Sequence, residues 1–162
     1  MNTPAVSIII PVLNEADGIV QALERLQGFR AQGTEVIVVD GGSNDDTAEC
    51  ARSLADCVTT SRRGRALQMN AGAGLASGDI LLFLHADTLL PSSALELVRA
   101  AVGNGGCWGR FDVHVEGAIR GLGMVAFMMN WRSRLTGIAT GDQAIFVTRD
   151  AFQHSGGFPA IP

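Results

Sequence analysis

The sequence lacks an excess of positive charge, and this absence argues against one class of function, nucleic-acid binding. Its 12 Lys and Arg residues are outnumbered by 16 Asp and Glu residues, which gives a formal net charge of -4. Proteins that bind nucleic acid are normally basic, so we expect no nucleic-acid partner. The 162 residues are 47% apolar and 17% charged, a composition typical of a globular domain with a sizeable core.

Two further absences concern membranes and cysteine chemistry. The N-terminus has no basic region before its first apolar run, and no apolar run reaches the roughly 20 residues of a membrane span. We therefore expect neither a signal peptide nor a spanning helix, and a cytoplasmic location. Cys50, Cys57 and Cys107 lack the spacing of a zinc site or a disulfide framework, so we expect buried free thiols.

Short apolar runs alternate with helical stripes along the chain. Strands are predicted at 5–10, 35–39, 57–60, 79–84, 109–115 and 143–148. Helices are predicted at 16–26, 43–54, 65–76 and 91–102, with another short helix after residue 148. This alternation predicts a Rossmann-like α/β fold with three α/β/α layers and a mostly parallel central sheet, in one domain.

Carboxylates follow two of the predicted strands. Asp40 and Asp87 each come directly after a strand, and ligands of open α/β sheets lie beyond the carboxyl ends of the strands. One such aspartate is usually a turn former, but two at matching strand ends indicate a shared crevice. Asp87 is the better metal ligand, because Mg²⁺ or Mn²⁺ combines carboxylate with phosphate oxygens. His85 either adds a nitrogen ligand or points elsewhere, with equal weight.

A basic cluster and a set of glycines have competing interpretations. Arg62, Arg63 and Arg65 surround Gly64 at a predicted helix start, which is typical either of an anion site or of a solvated loop. The glycines at 72, 74 and 78 lack the spacing of a dinucleotide fingerprint and precede a strand instead of following one. We expect these glycines to end a helix.

Taken in order, these motifs resemble the inverting glycosyltransferases of family 2, which have the GT-A fold, over residues 7–158. The resemblance assigns nucleotide contacts to three segments: a loop after the first strand, a base-contacting aspartate after the second, and a helix approaching ribose and diphosphate. The residues carried over from these segments are Pro11, Leu13, Asn14, Glu15, Asp40, Gly42, Arg65 and Asn70.

The segment 84–88 stands where the family carries its D-x-D motif. His85 replaces the first acid, so the resemblance makes Asp87 the metal ligand and places His85 and Ala86 beside the nucleotide. Together with segments 141–144 and 156–159, this version resembles a bacterial arsenosugar-biosynthesis-type subgroup. The resemblance thus implies one GT-A domain over 1–162, with a nucleotide-binding half at 1–102 and an acceptor half at 103–162.

The resemblance also implies the reaction. A sugar would pass with inversion from a nucleoside diphosphate sugar, UDP- or GDP-linked, to a hydroxyl acceptor, with Mg²⁺ or Mn²⁺ at the departing diphosphate. The family's general base is an aspartate soon after the Gly-Gly-Phe turn, whereas this sequence stops at Pro162, four residues after Phe158. We favour truncation of the acceptor half, with the usual base lying beyond Pro162; the alternative base is Asp142.

Other functions compete with this one. A nucleotide-sugar-binding module would bind without turnover, and a sugar-phosphate nucleotidyltransferase would need a glycine-rich basic loop after its first strand, where residues 11–15 have neither. The apolar segment 118–131 could lie on the inner membrane face and approach a lipid-linked acceptor. The favoured alternative for that segment is a buried core helix or a helix exposed by loss of a C-terminal segment.

Overall fold

The computed structural model describes residues 5–112, 131 and 144–159. Its strands are β1 Val6–Val12, β2 Glu35–Asp40, β3 Cys57–Thr60, β4 Ile80–Phe83, β5 Trp108–Arg110 and β6 Ile145–Thr148. Its helices, numbered in chain order, are α1 Ala16–Arg30, α2 Thr47–Ala51, α3 Arg65–Leu75, α4 Ala94–Gly103 and α5 Arg149–Ser155. Strands and helices alternate from β1 to α4, as the hydrophobic pattern predicts.

The strands form a single sheet in the order β3-β2-β1-β4-β6-β5. The pairs among β3, β2, β1 and β4 are parallel, and β6 is antiparallel to both β4 and β5. Ile9 in the middle of β1 lies opposite Ile37 of β2 and Phe83 of β4. The prediction of a mostly parallel sheet is confirmed, and the antiparallel strands come from the second half of the chain.

Helices cover both faces of this sheet. On one face Ile8 and Ile10 pack in a core with Leu23 of α1 and Val98 of α4, all fully buried. On the other face Ile9 packs in a second core with Ala73 of α3. Helices exclude water from both faces of the sheet, which is why the central strands are mostly apolar on both faces. The predicted three-layer arrangement is confirmed.

Helix boundaries differ from the predictions where contacts distant in sequence intervene. Helix α1 continues four residues past Leu26, because Phe29 is buried and Arg30 pairs with Asp56 at 2.6 Å. Helix α2 begins only at Thr47, since residues 43–46 are bound into a loop, and it ends at Ala51. Tertiary contacts therefore decide where these helices start and stop.

Two of the three glycines expected to end a helix lie within α3 instead. A Cβ on Gly72 would approach a methyl carbon of Ile9 to 2.5 Å and one of Val39 to 3.0 Å, so this glycine lets α3 pack against the sheet. Gly74 faces open space, and the helix ends at Leu75. Gly78 does lie in the turn before β4, where a Cβ would meet the Ser7 nitrogen at 2.8 Å.

The cysteines are free, as expected, but they are not buried. Cys50 and Cys57 are half-buried and Cys107 is exposed. The expectation of buried thiols is therefore wrong: Cys57 lies on β3 at the edge of the sheet, and Cys107 lies beside the edge strand β5. Among the described residues, no helix is long and apolar enough to cross a bilayer.

Candidate functional site

The carboxyl ends of β1, β2 and β4 meet at one edge of the sheet. β1 lies between the other two strands, with Val12 opposite Asp40 at the end of β2. The chain adds β2 and β3 on one side of β1 and then returns to place β4 on the other side. Such a change of direction opens a crevice at the strand ends, which is where α/β sheets bind ligands.

Asp40 lies at this edge with its carboxylate turned into the loop that follows. The residue is 5% exposed, and its oxygens accept hydrogen bonds from the backbone N–H groups of Gly42 at 3.2 Å and Ser43 at 3.0 Å. The Ser43 hydroxyl donates a further short hydrogen bond to the same carboxylate. Gly42 has a φ of 88°, the left-handed conformation that glycine adopts at little cost. Asp40 therefore organises the turn after β2.

The loop after β1 is bonded to this turn. The Asn14 N–H donates to the Ser43 hydroxyl oxygen at 2.8 Å, and the Asn14 side-chain oxygen accepts from the Asn44 N–H at 2.8 Å. The Glu15 N–H donates to the Thr47 hydroxyl oxygen at 2.8 Å. Asn14 itself has a φ of 55°, a conformation that asparagine tolerates better than most residues. The predicted residues Asn14, Glu15, Asp40 and Gly42 thus belong to one hydrogen-bonded unit, the paired loops 13–16 and 40–47.

Asp45 strengthens the paired loops from their solvent side. Its carboxylate accepts a short hydrogen bond from the Thr47 hydroxyl and another from the Ala16 N–H at 3.2 Å. The Thr47 hydroxyl lowers the pKa of the exposed Asp45 carboxyl below its ordinary value. The sequence motif 43–47 was interpreted only as a helix start, so these contacts with the first loop were missed. The signal in the sequence that could have indicated these contacts is the pair of hydroxyl residues, Ser43 and Thr47, which accept hydrogen bonds from Asn14 and Glu15.

Gln68, on helix α3, forms hydrogen bonds with the ends of both β1 and β2. It lies on α3, is 4% exposed, and its Nε2 donates to the carbonyl oxygens of Val12 at 2.8 Å and Val39 at 2.9 Å. Gln68 lies between Arg65 and Asn70 in the helix that the resemblance places near ribose and diphosphate, and the sequence assigns it no role. A single uncharged glutamine carries no pattern that distinguishes it from a surface residue.

Asp87 reaches the same edge from β4, with a spacer. β4 ends at Phe83, although the Leu84 N–H still donates to the Ile9 oxygen at 3.0 Å, so Leu84, His85 and Ala86 separate Asp87 from the strand. The prediction that Asp87 follows the strand directly is wrong in this detail. Two strand spacings separate β2 from β4, about 10 Å, so Asp40 and the segment that carries Asp87 leave the sheet from strands on either side of β1.

The donors around Asp87 fit a hard cation. Asp87 is exposed, and its closest described partner is the Thr88 hydroxyl, which donates at 3.3 Å. His85 is 8% exposed, and Ala86 is half-buried. Among the described residues no group of three or more acids, His or Cys converges. One or two carboxylates suffice where phosphate oxygens complete the shell of Mg²⁺ or Mn²⁺, so the fit is to a metal shared with a phosphate ligand.

The arginines at the start of α3 are available to an anion. Arg62, Arg63 and Arg65 are exposed, and within the described part of the chain their side chains form no hydrogen bond or ion pair. Gly64, which precedes the helix, has a φ of 139°. Backbone N–H groups at a helix start add to the attraction for negative charge. Arg65 remains a predicted phosphate contact.

Asn70 has a structural partner instead of an open amide. Its Nδ2 donates to the Phe158 oxygen at 2.9 Å, and its Oδ1 accepts from the Phe158 N–H at 2.9 Å. The Phe158 ring then packs edge-on against Phe83 at the end of β4, with centroids 4.8 Å apart. Asn70 therefore ties the turn at 156–159 to α3, and its predicted nucleotide contact stays a prediction.

Two further predicted nucleotide contacts, Pro11 and Leu13, lie near the end of β1, and their role stays a prediction. Pro11 is half-buried within β1, and Leu13 is half-buried just after that strand.

A cavity of about 290 Å³ opens between α3 and α5, lined by Leu81, Phe152 and Gln153 among others. It includes neither Asp40 nor Asp87, so it is separate from the crevice at the strand ends.

The predictions for the general base fall on residues that the structure does not describe. Asp142, the alternative base, lies outside the described residues. The same holds for Pro162, beyond which the usual base was expected, since the described residues end at 159. Both positions for the base therefore stay predictions, as does the truncation. The predicted interfacial segment 118–131 also lies outside the described residues, except for the exposed Trp131.

Comparison with known sequences gives a consistent result. A family model described as "Glycosyl transferase family 2" matches residues 7–151. An uncharacterized glycosyltransferase of Mycobacterium tuberculosis is 36% identical over 111 residues, which cover 64% of this chain and 42% of that protein. Glycosyltransferase AglE of Haloferax volcanii is 38% identical over 93 residues, 52% of this chain and 31% of that protein. The chain thus spans less than half the length of these relatives.

Solved structures with the same fold cover more of the chain. A mannosyltransferase from Pyrobaculum calidifontis, in complex with GDP-Man and Mn²⁺, has a TM-score of 0.75 and 25% identity, covering 99% of this chain and 49% of that chain. Glucosyl-3-phosphoglycerate synthase from Mycobacterium tuberculosis, in complex with Mn²⁺ and UDP-Glc, has a TM-score of 0.66 and 21% identity, covering 91% and 57%. At this second level of identity the likeness shows the fold alone.

Proposed function

The chain belongs to glycosyl transferase family 2 and has the GT-A fold, and from this premise we propose that it binds a nucleoside diphosphate sugar for metal-dependent, inverting transfer to a hydroxyl acceptor. One observation carries the proposal. The paired loops after β1 and β2 form one hydrogen-bonded unit at the same sheet edge as the exposed carboxylate of Asp87. A ligand lying across the end of β1 would meet both.

In this proposal the paired loops hold the nucleoside. Asn14, Glu15 and Gly42 are exposed along the rim of the loops, while the buried Asp40 carboxylate keeps the turn in place through Ser43. The backbone N–H groups of this rim already bond within the loops, so the exposed Asn14 amide nitrogen and Glu15 carboxylate are the groups proposed to meet a base and the hydroxyls of a ribose. The arrangement is rigid before binding, which reduces the ordering cost.

The diphosphate lies toward Asp87 and the start of α3. Asp87 would hold Mg²⁺ or Mn²⁺ together with phosphate oxygens, and the metal would supply positive charge for the leaving diphosphate. Arg65 and the helix N–H groups would add to that charge from the protein. The mannosyltransferase from Pyrobaculum calidifontis is in complex with GDP-Man and Mn²⁺, which supports a divalent metal here. We propose uracil or guanine as the donor base.

The acceptor side of the reaction is proposed on the family's pattern. A carboxylate must take the proton from the attacking hydroxyl, and Asp142 is the candidate within this sequence. Steady sugar transfer by the 162-residue chain, lost on Asp142→Asn with the circular dichroism unchanged, would assign that base. Absence of transfer together with tight nucleotide-sugar binding would support a chain that binds the donor without turning it over. For segment 118–131 a lipid-linked acceptor at the inner membrane face is the second proposal beside the favoured buried helix, and co-sedimentation with liposomes separates the two.

Thermal shift with matched carboxylate variants tests the donor site. We expect UDP or GDP to raise the Tm by about 5 to 10 °C at a concentration about 100-fold above its Kd, and only with Mn²⁺ present. Asp87→Asn should abolish the metal-dependent part of that rise, since it removes the charged ligand from an exposed position without touching the core.

Glu24→Gln is the matched control. Glu24 is exposed on α1, away from the sheet edge, so its loss of charge should leave the nucleotide response intact. If Asp87→Asn and Glu24→Gln respond equally to nucleotide and Mn²⁺, the metal role of Asp87 is wrong. If no nucleotide stabilises the unaltered chain with or without Mn²⁺, the proposed donor site is wrong as a whole.

A further inference from the structure

Gln68 has a buried polar side chain, and its side-chain hydrogen bonds run to the strand ends beside the candidate site. Its amide lies among the apolar residues between α3 and the sheet, where an unpaired N–H would be costly. The Nε2 group has two protons to donate, and the carbonyl oxygens of Val12 and Val39 accept from it at 2.8 and 2.9 Å. These carbonyls lie at the ends of β1 and β2, immediately before the paired loops.

The surrounding backbone is shaped to receive this amide. The Val12 oxygen also accepts from the Gly41 N–H at 2.9 Å, so strand-to-strand and side-chain hydrogen bonds converge on one atom. A Cβ on Gly41 would lie 3.0 Å from the Gln68 amide carbon and its oxygen. Gly41 therefore leaves room for the close approach of Gln68, whereas Gly42 supplies the left-handed conformation of the turn.

Gln68 itself belongs to the first turn of α3. The Gln68 backbone N–H donates to the Gly64 oxygen at 2.9 Å, which places the residue in the first turn of the helix, beside Arg65. One side chain thus bridges the end of β1, the end of β2 and the N-terminal turn of α3. In the proposed donor site these are the nucleoside end and the diphosphate end.

We propose that Gln68 is a positioning residue that sets the spacing between the nucleoside-binding loops and the diphosphate-binding helix start, without itself touching the ligand. This inference rests on the proposed function. A nucleoside diphosphate must contact both ends at once, so a shift of α3 relative to the strand ends weakens its binding. Loss of packing alone would lower stability and leave that spacing intact.

Gln27 provides an unusually close control. It lies on α1, and its Nε2 also donates to two backbone carbonyl oxygens, those of Leu23 at 2.8 Å and Leu54 at 2.9 Å. Leu54 precedes β3, so this bridge stands at the opposite end of the strands from the candidate site. Gln27→Met and Gln68→Met each remove two side-chain hydrogen bonds to backbone carbonyl oxygens while keeping a side chain of similar length. Gln27→Met also removes the oxygen that accepts from Arg30 at 2.8 Å, so it is the more disruptive of the two away from the site.

The test is isothermal titration of both variants and the unaltered 162-residue chain with UDP and with GDP in the presence of Mn²⁺, at a temperature where circular dichroism shows all three folded. We expect Gln68→Met to raise the Kd of the binding nucleotide by about tenfold, and Gln27→Met to change it by less than about twofold. Both variants should lower the Tm by several degrees.

A second measurement separates spacing from general loosening. Titration with pyrophosphate and Mn²⁺ probes the diphosphate end alone, so Gln68→Met should change that affinity less than it changes nucleotide affinity. If Gln68→Met binds the nucleotide as tightly as the unaltered chain, or if both glutamine variants weaken it equally, the positioning role is wrong while the donor site stands. If the unaltered chain binds neither nucleotide, the proposed function fails and this role fails with it.

Discussion

At the scale of single residues, two glycines two positions apart on α3 have opposite surroundings. A side chain on Gly72 would collide with Ile9 and Val39 on the sheet, whereas Gly74 has nothing within 4 Å of a Cβ. The sequence predicts that both glycines end the helix, because their spacing carries no information about which one faces the sheet. Only the rotation of α3 on β1 and β2 distinguishes them.

Substituting each glycine by alanine tests this distinction. Gly72→Ala should lower the free energy of unfolding by about 1 to 3 kcal/mol, because the sheet must shift to admit the methyl group. Gly74→Ala should raise it by about 0.5 to 1 kcal/mol through helix propensity alone. Urea denaturation of both variants provides the measurement, and a stabilising Gly72→Ala would contradict the close packing of α3 on Ile9.

At the scale of elements, an ion pair fastens the end of α1 to the turn before β3. The Arg30 guanidinium donates to Asp56 at 2.6 Å, and the Asp56 carboxylate also accepts from the Val36 N–H at 2.8 Å. The hydrogen bond from Arg30, aided by that from Val36, lowers the pKa of the Asp56 carboxyl, and the pKa of Arg30 rises in return. This contact extends α1 beyond the end predicted from its apolar stripe.

The lowered pKa of Asp56 predicts a pH-dependent contribution. Because the folded-state pKa lies below the unfolded value of about 3.9, the contribution is present above that value and is lost as the pH falls through the folded pKa. Asp56→Asn should cost about 1 kcal/mol or less at pH 7, since the pair is partly exposed, and the difference from the unaltered chain should shrink below about pH 4.

Glu49→Gln serves as the comparison for this ion pair. Glu49 pairs with Arg52 at 2.8 Å on the surface of α2, where both side chains are more than half exposed. We expect almost no change in Tm from that variant at any pH. An Asp56→Asn defect that persists unchanged at low pH would show that its cost comes from packing and not from the charged hydrogen bonds.

At the scale of the whole molecule, Asn70 links parts of the chain that are 88 residues apart. Its two hydrogen bonds to the Phe158 backbone close the turn at 156–159 onto α3, and a Cβ on Gly157 would lie 2.8 Å from the Asn70 oxygen. The Phe158 ring packs on Phe83 at the end of β4. The end of β4, helix α3 and the turn at 156–159 therefore share one core.

Asn70→Ala should release that turn. The Phe158 amide loses its acceptor, so its hydrogen exchange should accelerate, and the free energy of unfolding should fall by about 1 to 3 kcal/mol. Asn104→Ala, at the exposed end of α4, should change neither quantity by a comparable amount. Unchanged exchange at Phe158 in Asn70→Ala would show that the aromatic contacts alone hold the turn.

The local sequence pattern determined the strands, the helices and the family of this protein. Continuous apolar runs mark the buried strands, apolar stripes mark the helices, and aspartates follow the right strands, because burial on one or both faces imposes a period that is readable within a few residues. The family motifs are local as well, so the chain's membership and its GT-A fold were predictable from ordered segments.

Tertiary structure alone decided which polar groups meet. Ser43 bonds to the Asn14 backbone 29 residues away, Gln68 to Val12 56 residues away, and Asn70 to Phe158 88 residues away. Such partners leave no periodic signal, since each depends on how helices rotate and settle on the sheet. The apolar period gives the layers, and packing in three dimensions then selects the few hydrogen bonds that build the candidate site.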